Sequence, residues 1–155
     1  MYTISNYLFR GNLFLRNNFL KNKKQLATLM LYATDLCNSK CKHCLVWTKK
    51  PVRHLPFEII KQVLESKAIH KQTVVGLEGG EFLLHPEANE IMSFLDKKHP
   101  KYDLLSNCVQ ADRTIKAIEN HKPMRLFVSL DGTPETHHYM RGKDCYHEII
   151  EVIKS

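Results

Sequence analysis

The chain has 155 residues, 43% of them hydrophobic and 25% charged, which suits a single globular domain and excludes collagen-like, low-complexity and wholly disordered classes. With 23 Lys and Arg against 16 Asp and Glu, the net charge is +7, a surplus that favours an anionic ligand, nucleic acid or an acidic surface. No stretch nears the roughly 20 consecutive apolar residues of a membrane span, and the start lacks an apolar run with a small-residue cleavage site, so spanning and secretion are disfavoured.

Residues 1–26 form a basic segment of their own. Arg10, Arg16, Lys21, Lys23 and Lys24 all precede the first acid, Asp35, and are interleaved with Tyr7, Leu8, Leu13, Phe14, Leu15, Phe19 and Leu20. This pattern predicts an amphipathic helix, packed as an arm on the rest of the fold or presented to a membrane surface or partner.

From residue 27 to 155 short apolar runs alternate with helical periods. The runs at 29–33, 73–77, 102–105 and 125–130 each read as a strand buried on both faces. Pro56 suits a first helical turn, and Phe57, Ile60 and Leu64 follow it at i, i+3 and i+7. A second helix starts near Pro86 with Ala88, Ile91, Met92 and Leu95, and Ile115 and Ile118 mark a shorter one. Tyr146, Ile149, Ile150 and Ile153 mark the last. Four strand-then-helix units in series predict an α/β architecture with a parallel sheet, because parallel neighbours need a crossover of about a dozen residues. The strand at 125–130 would then keep an unpaired apolar edge, which predicts self-association of the isolated chain.

Five cysteines are too many in too little space for an ordinary disulfide framework, since Cys37, Cys41 and Cys44 fall within eight residues. They point to a reducing, cytoplasmic setting and a metal. The loop that carries them follows the first strand, where α/β folds place their ligands. Three thiolates from one loop suit three irons of a cubane cluster. A tetrahedral zinc site completed by His43 or His54 is the alternative. Cys108 and Cys145 read as small buried hydrophobes.

The motif Cys37-Asn-Ser-Lys-Cys41-Lys-His-Cys44 resembles the cluster motif of radical S-adenosylmethionine (radical SAM) enzymes. Gly79-Gly80-Glu81 after strand two resembles that family's GGE motif. Ser129-Leu-Asp131-Gly132, His137 and Arg141-Gly142 after strand four resemble the subgroup of anaerobic sulfatase-maturing and peptide-modifying, SPASM-type enzymes, whose members carry C-terminal cluster domains. The resemblance implies a partial (βα) barrel, the N-terminal portion of a (βα)6 barrel that is apparently truncated. It implies that Cys37, Cys41 and Cys44 bind a 4Fe-4S cluster. It further implies that His43, Gly79, Gly80, Glu81, Asn107, Ser129, Asp131 and Arg141 surround S-adenosyl-L-methionine.

Reductive cleavage of SAM to a 5′-deoxyadenosyl radical would follow, with an external donor of flavodoxin or ferredoxin type and a peptide or small molecule as substrate. Rival readings are a zinc-stabilised basic module for nucleic acid, weakened by the lack of an aromatic and basic platform, and an inactive partner subunit that keeps the cluster motif.

Overall fold

The computed structural model describes residues 3–20, 24–98 and 101–155; Lys21 and Lys23 of the basic segment lie outside them. Among the described residues β1 (Thr28–Tyr32), β2 (Val74–Glu78), β3 (Tyr102–Ser106) and β4 (Arg125–Val128) form one sheet in the order β1-β2-β3-β4, and every pair is parallel. The crossovers are the predicted helices α2 (Phe57–Leu64), α3 (Ala88–Lys98) and α4 (Ala111–Asn120). After β4 come α5 (Pro134–Arg141) and α6 (Tyr146–Lys154). Only α6 was signalled by apolar spacing.

The register explains where the core lies. Leu31, Leu77, Leu104 and Leu126 stand side by side across the four strands and face the helices. Ile60 and Leu64 of α2 and Ile91, Met92 and Leu95 of α3 meet that row, each at most 1% exposed. Burying a residue of this kind contributes about 1.5–3 kcal/mol. A satellite cluster joins Cys108, Val109 and Ala111 to Cys145, Ile149 and Val152 of α6.

The opposite face corrects the expectation of strands buried on both sides. Met30, Tyr32, Leu105 and Phe127 alternate with the core row and remain 39–56% exposed. β2 fits the expectation; the bare face runs across the inner strand β3, at Leu105, as well as across the edge strands β1 and β4.

The N-terminal segment is a 16-residue helix, α1 (Ile4–Phe19). It docks at the amino ends of the strands through polar groups: Asn6 accepts from Lys101, Asn17 bonds the backbone of Gln25, and Phe9 stacks on His70. Leu13 is buried there, whereas Leu8, Phe14, Leu15 and Phe19 point outward, all more than 55% exposed. None of the described helices is long and apolar enough to cross a membrane.

Candidate functional site

The carboxyl ends of β1, β2 and β3 are joined by hydrogen bonds between their loops. Gly80 N–H donates to Thr34 O at 2.7 Å, and Glu81 N–H to Leu36 O at 2.8 Å, so the loop after β2 lies flat against the chain entering the cysteine loop. Glycine is required at both positions. A Cβ at Gly79, where φ is +148°, would lie 2.6 Å from Thr34 O, and one at Gly80 would lie 2.3 Å from Leu36 O. Thr34 is pinned in turn, its hydroxyl 2.8 Å from His54 Nδ1. That contact takes up one ring nitrogen of a histidine considered for zinc.

Glu81 is 5% exposed, and its carboxylate is a structural knot. Oε2 accepts from Asn107 N–H at 2.7 Å and Oε1 from Leu83 N–H at 3.3 Å. Burial pushes its pKa up, outweighing the lowering by Asn107, Leu83, Ser106 and Arg113. Asn107, at the end of β3, turns its side-chain amide to the cysteine loop. Nδ2 donates to Asn38 Oδ1 at 2.9 Å and to Ser39 Oγ at 3.3 Å, and stands 3.8 Å from Cys37 Sγ.

Cys37, Cys41 and Cys44 are free thiols. Trp47 Nε1 donates to Cys41 O at 3.3 Å, tying the end of the loop to its middle. Burial comes first among the causes that hold the Cys37 thiol above its ordinary value, and repulsion from Cys41, Glu81 and Cys44 adds to it. All three cysteines line a cavity of about 370 Å³, together with His43, Gly79, Gly80, Glu81, Asn107, Ser129 and Arg141. The geometry therefore gathers every residue of the candidate set around one hollow except Asp131.

Asp131 is instead the partner of Arg141. Its oxygens accept from Nε at 2.5 Å and Nη2 at 3.1 Å, a bidentate pair that fills the guanidinium fork. Burial would lower the Arg141 pKa, but the bonds to Asp131 and Cys41 outweigh it and hold it above the ordinary arginine value. Ser106, which with Asn107 resembles the Thr/Ser-Asn pair of related enzymes, lines the cavity too, as do Ser39, Trp47, Glu78 and Leu105, which were not among the candidates. The lone tryptophan three positions past Cys44 was the one available signal. A wider cleft of about 930 Å³ between α3, α4 and α6 holds none of the motif residues.

The donor set fits an iron-sulfur cluster. Three unpaired thiols face one cavity, and N–H groups already approach two of the sulfurs: Ser39 N–H lies 3.4 Å from Cys37 Sγ and Arg141 Nη1 lies 3.7 Å from Cys41 Sγ. Among the described residues no three His, Cys, Asp or Glu side chains converge on a point that would hold a single ion. A cluster asks less, because each thiolate meets a different iron.

Comparison with known proteins gives the same direction. The chain is 28% identical over 114 residues to the antilisterial bacteriocin subtilosin biosynthesis protein AlbA of Bacillus subtilis (strain 168), covering 71% of this chain and 25% of that protein. To the sporulation killing factor maturation protein SkfB of the same organism it is 26% identical over 127 residues, covering 80% and 31%. It thus spans about a quarter to a third of the length of these curated relatives. Among solved structures, native anSMEcpe with bound AdoMet and Cp18Cys peptide superposes with a TM-score of 0.61 at 21% identity, covering 84% of this chain and 39% of that one. TYW1 with a lysine-pyruvate adduct bound gives 0.54 at 17% identity, covering 99% and 67%. These two likenesses support the α/β fold of a partial barrel. The model of the radical SAM superfamily, whose enzymes bind a 4Fe-4S cluster and SAM, matches residues 31–155. By that match over most of its length, the chain belongs to the radical SAM superfamily.

Proposed function

We propose that this chain holds a 4Fe-4S cluster on Cys37, Cys41 and Cys44 and S-adenosyl-L-methionine in the adjoining cavity, and that it serves radical modification of a peptide substrate. The observation that carries the reading is one cavity lined by three free thiols of one loop, with Gly79, Gly80 and Glu81 folded against that same loop. Peptide as the substrate class is supported by the relatives' roles in bacteriocin biosynthesis and killing-factor maturation.

When bound, the cluster and SAM supply one-electron cleavage of the sulfonium and a carbon radical able to abstract hydrogen. The chain's own residues do the rest. Gly79 and Gly80 leave backbone, without side chains, at the cavity wall. The Ser129 hydroxyl can donate and accept, and exposed His43 stands at the cavity's rim. Glu81 fixes the loops after β2 and β3 so that these groups keep their spacing. Val46, Trp47 and Phe82 give the cavity an apolar wall beside the thiols. A cytoplasmic, flavodoxin- or ferredoxin-type reductant is the matching electron source.

Anaerobic reconstitution tests this reading. About four irons per chain are expected. Cys41→Ala should abolish iron uptake, and Cys108→Ala, in the satellite cluster, should leave it unchanged. Stoichiometric zinc without iron would sink the proposal.

A further inference from the structure

The last turn of α5 is delivered onto the cysteine loop. Met140 O accepts from Lys42 N–H at 2.9 Å. Gly142, left-handed at φ +65°, packs so closely that a Cβ would lie 2.9 Å from Lys40 O. Between them Arg141 Nη1 reaches to 3.7 Å from Cys41 Sγ. The guanidinium is aimed rather than loose, because Asp131 occupies its other edge at 2.5 and 3.1 Å. Asp131 is held as well: its N–H donates to Nδ1 of fully buried His137 at 3.2 Å, and His137 Nε2 lies 3.4 Å from Cys145 Sγ. A line of contacts thus runs from the satellite core to one sulfur of the cavity.

We propose that Arg141, aimed by Asp131, is a positioning residue that raises the reduction potential of the cluster through its N–H bond to the Cys41 sulfur. Reduction adds one electron and no proton, so it adds negative charge at the thiolates. A fixed cation and an N–H donor stabilise the reduced state more than the oxidised one. The inference rests on the reading that Cys37, Cys41 and Cys44 hold the cluster. It assigns Arg141 a task that is complete before SAM arrives.

The test is a redox titration of the anaerobically reconstituted chain without SAM, with dithionite as electron donor and the reduced cluster followed by electron paramagnetic resonance. Arg141→Met should lower the midpoint by about 59 mV, a tenfold change in the ratio of reduced to oxidised cluster for a one-electron couple. Asp131→Asn removes the counter-charge but keeps an acceptor for Nε, and should move the midpoint upward. Opposite signs are the signature, since general loosening would move both variants the same way. Iron content is measured on every sample. If the unmodified chain takes up no cluster, the reading of the site has failed. If it takes up the cluster and both variants titrate like it, or shift together, this inference alone is overturned. Should Arg141→Met not hold iron, the upward shift in Asp131→Asn decides, and its absence counts against the proposal.

Discussion

Glu81 and Asn107 are joined by a 2.7 Å bond from the Asn107 backbone N–H to Glu81 Oε2, which suspends the loop after β3 from a carboxylate that follows β2. Both groups are buried, so the bond has no substitute from water. Glu81→Ala would strand the amides of Asn107 and Leu83 and should destabilise the fold by about 1–3 kcal/mol for each. Glu81→Gln, which retains one acceptor, should lose less. Urea unfolding midpoints of the two variants give the ranking, and a Glu81→Ala midpoint equal to the parent's would contradict it.

Two glycines make opposite predictions. At Gly80 a methyl group meets the Leu36 carbonyl at 2.3 Å and Cys37 Cβ at 2.9 Å, and neither is the end of a flexible side chain. Gly80→Ala should therefore displace the cysteine loop and cut iron uptake severely. At Gly76 the obstacles are Met30 Cε at 2.7 Å and Sδ at 2.9 Å, which swing aside. Gly76→Ala should keep full iron uptake, with a stability change within about 1 kcal/mol. Iron-to-protein ratios and thermal melts separate the two.

The difference between these glycines also marks what could be read from the chain. The strands and the cysteine loop were legible because a buried parallel strand is a continuous apolar run, and each motif follows such a run. α5 was not, because His137 is its one buried residue and no apolar stripe exists to detect. Its cues were terminal: Thr133 and Pro134 at the start, and Gly142 in the left-handed cap. The guanidinium fork of Arg141 suits a carboxylate, yet spacing could not say that Asp131 fills it. That depends on the turn through Gly132. Tyr32 and Phe127 read as core for the same reason as Leu31 and Leu126, but they lie on the face of the sheet turned away from the helices and are half-exposed.

Asp96 gives the acid limb of stability. Its carboxylate accepts from the Tyr102 hydroxyl at 2.7 Å and from Lys122 N–H at 3.1 Å, and it pairs with His121 Nδ1 at 2.8 Å. Burial alone would raise its pKa, but these bonds outweigh it and hold it below the ordinary 3.8. A carboxylate depressed in the folded state contributes its stability above the unfolded value and loses it as pH falls through the folded one. Asp96→Asn should accordingly lower stability at neutral pH and flatten its decline below pH 3.8. Unfolding free energies measured from pH 6 down to about 2 check this; parallel curves for the two proteins would exclude the assignment.

Cys41 and Arg141 meet although 100 positions separate them. Closing so long a loop has an entropic cost that local structure cannot offset early, so contacts of this kind tend to form late in folding. The bracing of the cysteine loop by α5 is therefore expected to follow the formation of the local strand-helix units. On the proposed reading of these thiols as cluster ligands, the loop that would receive the cluster is fully braced only in a chain whose fourth strand-helix unit has folded.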